Sequence, residues 1–341
     1  MRTRPGPTLA ITVALIAASF AFPSVAVATI TDNTQYEEDT GAGAQDQEIN
    51  SQVRFNLSKN GRGKSTGPVT AVGNWTPPAC WYEPKYTPKQ KEQQYKDLLA
   101  SPLFSGKKEA VEGMESRFKD GHPYTDFNKK KSGDGMFWTS VQDDTRSMDD
   151  HVWDCDEADF WADNGEAPKV ANAIDAETLS GLAYGRIRVP DTKITLAPAN
   201  STKVNLPTWA WLDKADFHDV SVTASLQVAG WNLSATTTAR PVSLRLDPGT
   251  ADATTYPAGG ECALNSDGSI GEPYAQGKAG RTPPCGVTYL RSSGDGVYHL
   301  KATVTWEITW EGSNGERGTF PNGTFGTEQD VTVQEVQAVN R

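Results

Sequence analysis

The sequence predicts a mainly β protein: a C-terminal β-sandwich preceded by a small, disulfide-linked, partly helical domain. Three observations lead there. From Lys193 onward, apolar residues recur at every second position, as half-buried antiparallel strands require. Between Trp75 and Ala173 the pattern changes to polar segments, clustered aromatics and helix-start signals. Four cysteines, Cys80, Cys155, Cys262 and Cys285, form an even set in a chain that opens like an exported protein.

Residues 1–28 read as a secretory signal peptide. Arg2 and Arg4 stand before an apolar run, Thr8 to Phe22, and Ala26-Val27-Ala28 supplies the small residues of a cleavage site. The mature chain is expected to start near Thr29, outside the cytosol, where disulfides persist. Residues 29–74 read as a disordered or extended arm. Thr29 to Gln47 is polar and acidic, Ile49 to Leu57 is compatible with one strand, and Ser58 to Gly73 is a Gly/Ser/Lys-rich loop.

Residues 75–190 form the expected helical and irregular domain. Thr87-Pro88-Lys89-Gln90 is a helix start with a capping box and proline in the first turn, and Tyr95, Leu98 and Leu99 fall on one face. A second helix is expected over Lys108 to Lys119, with Ala110, Val111, Met114 and Phe118 as its stripe. Asp175 caps a third, carrying Leu179, Leu182 and Ala183.

The sandwich is assigned to 191–341. Val220, Val222, Ala224, Leu226 and Val228 alternate with polar residues, as do Ala302, Val304, Trp306, Ile308 and Trp310. Trp231 to Ala235 and Val242 to Leu246 read as two further strands. Val331 and Val333 are out of phase with Val336 and Ala338, which predicts a β-bulge at Gln334-Glu335. Three cysteine pairings exist; Cys80–Cys155 and Cys262–Cys285 are favoured because each stays inside one expected domain. Each would add roughly 2–4 kcal/mol.

The run Val204-Asn205-Leu206-Pro207-Thr208-Trp209-Ala210-Trp211-Leu212 is followed by Val220 to Ala224, the Cys262 and Cys285 pair, Tyr289-Leu290-Arg291-Ser292-Ser293 and Thr303-Val304-Thr305-Trp306. Upstream stand Cys80-Trp81 and a helix before Arg188-Val189-Pro190. Over residues 75–341 this order resembles a family of exported actinobacterial proteins with a C-terminal Ig/PKD-like domain. The resemblance implies an Ig/PKD-like sandwich and carries little function. Leu246-Asp247-Pro248-Gly249-Thr250 departs from the Gly-Asp-Gly turn common in PKD domains.

A net charge of −11 argues against nucleic acid as a partner. No apolar run after Phe22 reaches the ~18 residues of a membrane span. Gly63-Lys64-Ser65 matches the end of a phosphate-binding loop, but Ser58 replaces its first glycine and Thr66-Gly67-Pro68 is a poor helix start. A solvated loop is the better reading, and no cofactor is expected. Asp154, Asp156 and Asp159, within an acidic stretch, are weak Ca²⁺ candidates whose spacing misses the calcium-loop pattern. His151, beside Asp149 and Asp150, is the best-placed base but has no visible nucleophile.

Trp75, Trp81, Tyr82, Trp138 and Trp161 are either core or a ligand platform, with core favoured. The functional expectation is a secreted, non-enzymatic module, extracellular or wall-associated, that binds an envelope protein or surface structure. The alternatives are carbohydrate binding through those aromatics, and a secreted hydrolase or nucleotide-binding protein. A deep polar pocket at His151 would favour an enzyme, exposed coplanar tryptophans a glycan, and an open apolar patch a protein partner.

Overall fold

The computed structural model describes residues 47–50, 52–62, 66–146, 148–212, 218–228 and 230–336. The expected signal peptide, the arm as far as residue 46, and Gly63, Lys64 and Ser65 lie outside the described residues. In chain order the first strands are β1 (Gln47–Asn50), β2 (Val53–Asn56), β3 (Gly67–Pro68), β4 (Thr70–Ala71) and β5 (Cys80–Tyr86). Helices α1 (Pro88–Ala100) and α2 (Lys108–Phe118) precede β6 (Gly135–Gln142) and β7 (Phe160–Asp163). Then come α3 (Ala176–Arg186), β8 (Arg188–Val189), β9 (Thr195–Ala197), β10 (Ser201–Lys203) and β11 (Thr208–Leu212). The remaining strands are β12 (Val220–Val228), β13 (Trp231–Asp247), β14 (Ala253–Tyr256), β15 (Glu261–Ala263), β16 (Ile270–Gly271), β17 (Gly286–Tyr289), β18 (Tyr298–Gly312) and β19 (Arg317–Gln334).

The mainly β class is as the alternation predicted. One long sheet runs β1-β2-β12-β13-β18-β19-β10, with β15 added on β13 and β4 on β19. Its pairings are antiparallel except β10 on β19. A second sheet runs β14-β17-β11-β16, with β9 on β11. Val220, Val222, Ala224 and Leu226 on β12 share a buried cluster with Leu300, Ala302, Val304, Trp306 and Ile308 on β18. Cys262 on β15 and Cys285 beside β17 form one disulfide, which bridges the two sheets. Cys80 and Cys155 form the other, so both expected pairings are present.

Three expectations about the strands change. The stretches 231–235 and 242–246 are one strand of 17 residues, β13, rather than two. Its irregularity falls between Pro241 and Ser243, because proline has no N–H for the ladder and is accommodated at a bulge. The bulge expected at Gln334-Glu335 is instead the end of a strand: β19 stops at Gln334, Val336 is exposed, and Ala338 lies outside the described residues. Within residues 47–56 the arm is neither loose nor a single strand. It is a hairpin whose β2 pairs with β12, Val53 opposite Leu226 and Phe55 opposite Ala224, with Val53 and Phe55 fully buried.

The expected boundary at 190/191 does not divide two cores. The described residues belong to one compact unit, and a single buried cluster holds Trp81, Tyr82, Trp138, Leu179 and Leu182 together with Val222, Leu226 and Trp306. The reason lies in α3, where Leu179, Ser180, Gly181, Leu182, Ala183 and Tyr184 are consecutive and buried. Such a helix must be covered all round. On one side Thr237 of β13 donates its hydroxyl to the Ser180 carbonyl at 2.7 Å; on another, Pro78 presses so close to Gly181 that a Cβ there would collide with it.

The three-stranded sheet β5-β6-β7 docks through Trp138, edge-on to Trp231 at 4.9 Å. Beneath it, a small cluster of Tyr95, Phe118, Phe127 and Phe137 gathers α1 and α2. The Thr87–Gln90 capping box forms as expected, as does the Asp175 cap. The buried positions of α1 are Pro88, Lys91 and Tyr95, whereas Leu99 is exposed. In α2 only Phe118 is buried.

Candidate functional site

A cleft of about 430 Å³ lies where the segment before β5, the turn at 150–153, the start of α3 and β19 meet. Trp75, Pro77, Pro78, His151, Asp154, Asn172, Asp175, Glu177, Thr178 and Phe320 are among its lining residues. The Cys80–Cys155 disulfide ties the 150s segment to β5, and the Arg146 guanidinium holds the Pro77 carbonyl. Asp175 accepts from the Thr178 N–H at 2.7 Å, fixing the first turn of α3 as one wall.

The floor is aromatic. Trp75 stacks on Phe320 with centroids 4.6 Å apart at 26°, and meets Tyr184 edge-on at 4.9 Å. Trp75 remains half-buried. The rim is polar and mostly acidic: His151, Asp154, Asp175 and Glu177 are exposed. His151 Nδ1 lies 2.8 Å from Asp154 Oδ2. That hydrogen bond, with the charges of Asp154 and Asp149, holds the imidazole's proton to a higher pH than usual. Asp149 is held below the usual carboxylate range by the His151 N–H and by Arg146.

Two large apolar side chains protrude from the same segment. Trp153, in the turn that carries His151, is 73% exposed, and Met148 is 97% exposed. Neither is among the platform candidates taken from the sequence. Their signal was local: Asp149, Asp150, Asp154 and Asp156 crowd a stretch too acidic to bury, while Trp81 sits in an apolar strand.

Of the five aromatics weighed as core or platform, only Trp75 lines the cleft. Trp81 and Trp138 are fully buried, and Tyr82 nearly so. The Trp81 indole donates to Glu83 Oε2 at 3.0 Å, and the Tyr82 hydroxyl accepts from the Glu157 N–H at 2.7 Å. Trp161 is half-buried against Phe137 and donates to Asp163. Trp81, Tyr82 and Trp138 are core residues, packed in one cluster with Leu179, Leu182 and Val222.

The Ca²⁺ candidates do not converge. Asp154 is bonded to His151, Asp159 pairs with the buried Lys91, and Asp156 is exposed. Among the described residues no group of three or more metal-ligating side chains is assembled. Beyond Ser65 the chain enters β3, paired with β8, where a phosphate-binding loop would start a helix. Among the described residues no serine or cysteine lines the cleft; its hydroxyls are those of Thr76 and Thr178, and the Thr178 hydroxyl donates to the Ala173 carbonyl at 3.1 Å. No protein-family model, no curated protein and no solved structure matches this chain.

Proposed function

We propose that this chain is an exported, non-enzymatic recognition module that binds an envelope protein through the 148–154 segment and the adjoining cleft. The observation that carries this reading is the exposure of Trp153, on a turn anchored by the nearby disulfide, and of Met148 just before that turn. Tryptophan and methionine are the residue types enriched at the centres of protein interfaces. The anchored turn presents them with little ordering left to do on binding. Two disulfides, and no helix among the described residues long and apolar enough to cross a membrane, fit a place outside the cell. The two facing sheets bridged by Cys262–Cys285 support an Ig/PKD-like reading of the C-terminal part. The buried α3 and strands of 15 to 18 residues are departures from it.

Binding to a surface polysaccharide is the second reading, favoured by the Trp75–Phe320 stack beneath a polar rim. Purified chain, labelled and added to intact producing cells, separates the two. On the protein-partner reading, Trp153→Ala abolishes retention and protease treatment of the cells removes it. Retention that survives protease but is lost with Trp75→Ala assigns the glycan reading instead.

A further inference from the structure

A second hollow, of about 980 Å³, lies between the loop after β2 and the strand β12. Its lining includes Lys59, Arg62, Lys193, His218, Asp191 and Asp219. The loop wall is held on both sides. The Asn60 side chain donates to the Arg186 carbonyl and accepts from the Arg188 N–H, each at 2.8 Å, as a strand neighbour would. The Gly61 N–H donates to the Arg188 carbonyl at 2.9 Å, an approach that leaves no room for a Cβ. On the other side the Lys59 carbonyl accepts from the Ser221 N–H of β12 at 3.0 Å.

The charge of this hollow runs against that of the whole molecule. The chain carries −11, yet three cations gather here. Of the two carboxylates among the described lining residues, Asp219 is engaged by Arg240 at 3.3 Å, which leaves Asp191 to set against Lys59 and Lys193. Lys59 and Lys193 are exposed and have no carboxylate partner among the described residues. Arg62 is braced by its bond to the Ser58 carbonyl at 3.1 Å.

We propose that this hollow binds a phosphate group carried on a polyol or sugar. A carboxylate brings one charge on two oxygens, whereas a phosphate brings up to two charges on three or more oxygens and so answers several cations spread around one hollow. Ser58, Ser221 and Thr238 also line the hollow and offer partners for hydroxyls, and its volume suits a ligand of several heavy atoms beyond the anion. This site is separate from the cleft at His151 and stands whether or not the envelope-protein reading does.

The test is calorimetric titration of the purified chain, at low salt, with inorganic phosphate, glycerol 3-phosphate, a short glycerophosphodiester oligomer and galacturonate. The phosphate compounds bind, and the Lys59→Ala/Lys193→Ala double variant weakens them at least tenfold. Lys59→Arg keeps the affinity, and neither Trp153→Ala nor Lys107→Ala changes it. Tighter binding of the diester identifies a polymer as the source, tighter binding of the monoester a free sugar or polyol phosphate. Equal binding of galacturonate, binding unaffected by the double variant, or no binding of any phosphate compound overturns the proposal. Both lysines are exposed, so an unchanged melting curve separates lost affinity from lost fold.

Discussion

Replacing Asp143 with alanine tests whether the region before residue 190 and the long sheet share one core. Asp143 follows β6, and its carboxylate takes both terminal nitrogens of Arg186, the last residue of α3, one of them at 3.0 Å. The pair is buried, at 1% and 4% exposure, and the guanidinium lies 4.5 Å over the ring of Phe55 in β2. Three pieces of the chain therefore meet at one ion pair. Removing one partner of such a pair costs about 3–5 kcal/mol, because the other charge stays buried and uncompensated. Asp144, already 3.9 Å from Arg186 and largely exposed, can move in, so the low end of about 3 kcal/mol is expected. The assay is urea unfolding followed by tryptophan fluorescence and far-ultraviolet circular dichroism, with disulfides intact. Asp143→Ala lowers the midpoint in both signals together. The double variant Asp143→Leu/Arg186→Met, which removes both charges, recovers most of the loss. A loss under about 1 kcal/mol, or two separated transitions in the parent chain, refutes the shared core.

Four further outcomes are expected. At the ion pair between Lys91 of α1 and Asp159, Asp159→Ala destabilises the chain by about 3 kcal/mol, while Lys91→Met costs far less, because Lys91 is buried beneath the Phe118 ring and its pKa is already lowered by burial; thermal melts of the two variants check this. Replacing Cys262 and Cys285 with alanine costs roughly 2–4 kcal/mol, read from denaturant midpoints of the variant and the parent. In an NMR titration His151 loses its proton above the ordinary histidine value, and Asp154→Asn brings it back down. Its folded-state pKa is raised, so any stability it adds is fully present below the unfolded-state value and is lost as the pH rises through the raised one. Gly230→Ala lowers the melting temperature by the equivalent of more than about 1 kcal/mol, since Gly230 has φ +80° and a Cβ there would overlap the Asn164 side chain.

Features written in local sequence were the legible ones. Thr87 and Gln90, three residues apart, fix a helix start wherever the helix later packs. The two-residue period of β12 and β18 says which side chains face inward. It does not say what covers them. For that reason α3 read as the end of a first domain, when its buried turns are what the long sheet and Pro78 close upon. Lys91 carries no sequence sign of its burial, because its partner, Asp159, stands 68 residues away. The aromatics read as core or platform with core favoured, and Trp81, Tyr82 and Trp138 are core. Trp81 and Trp153 both stand near cysteines in sequence, yet one is at 0% and the other at 73% exposure, and the acidic residues around Trp153 are the local sign of the difference. The cleft itself joins Trp75, His151, Glu177 and Phe320, a set with no sequence signature.

Placing a photo-crosslinking amino acid at position 153, on producing cells, tests the recognition reading most directly. The account predicts one envelope protein joined at that position, no product from the same residue placed at exposed position 107, and loss of the product when Met148 is also replaced by alanine. A chain that remains in the culture fluid with no crosslinked protein, or one that gives the same products from both positions, contradicts it.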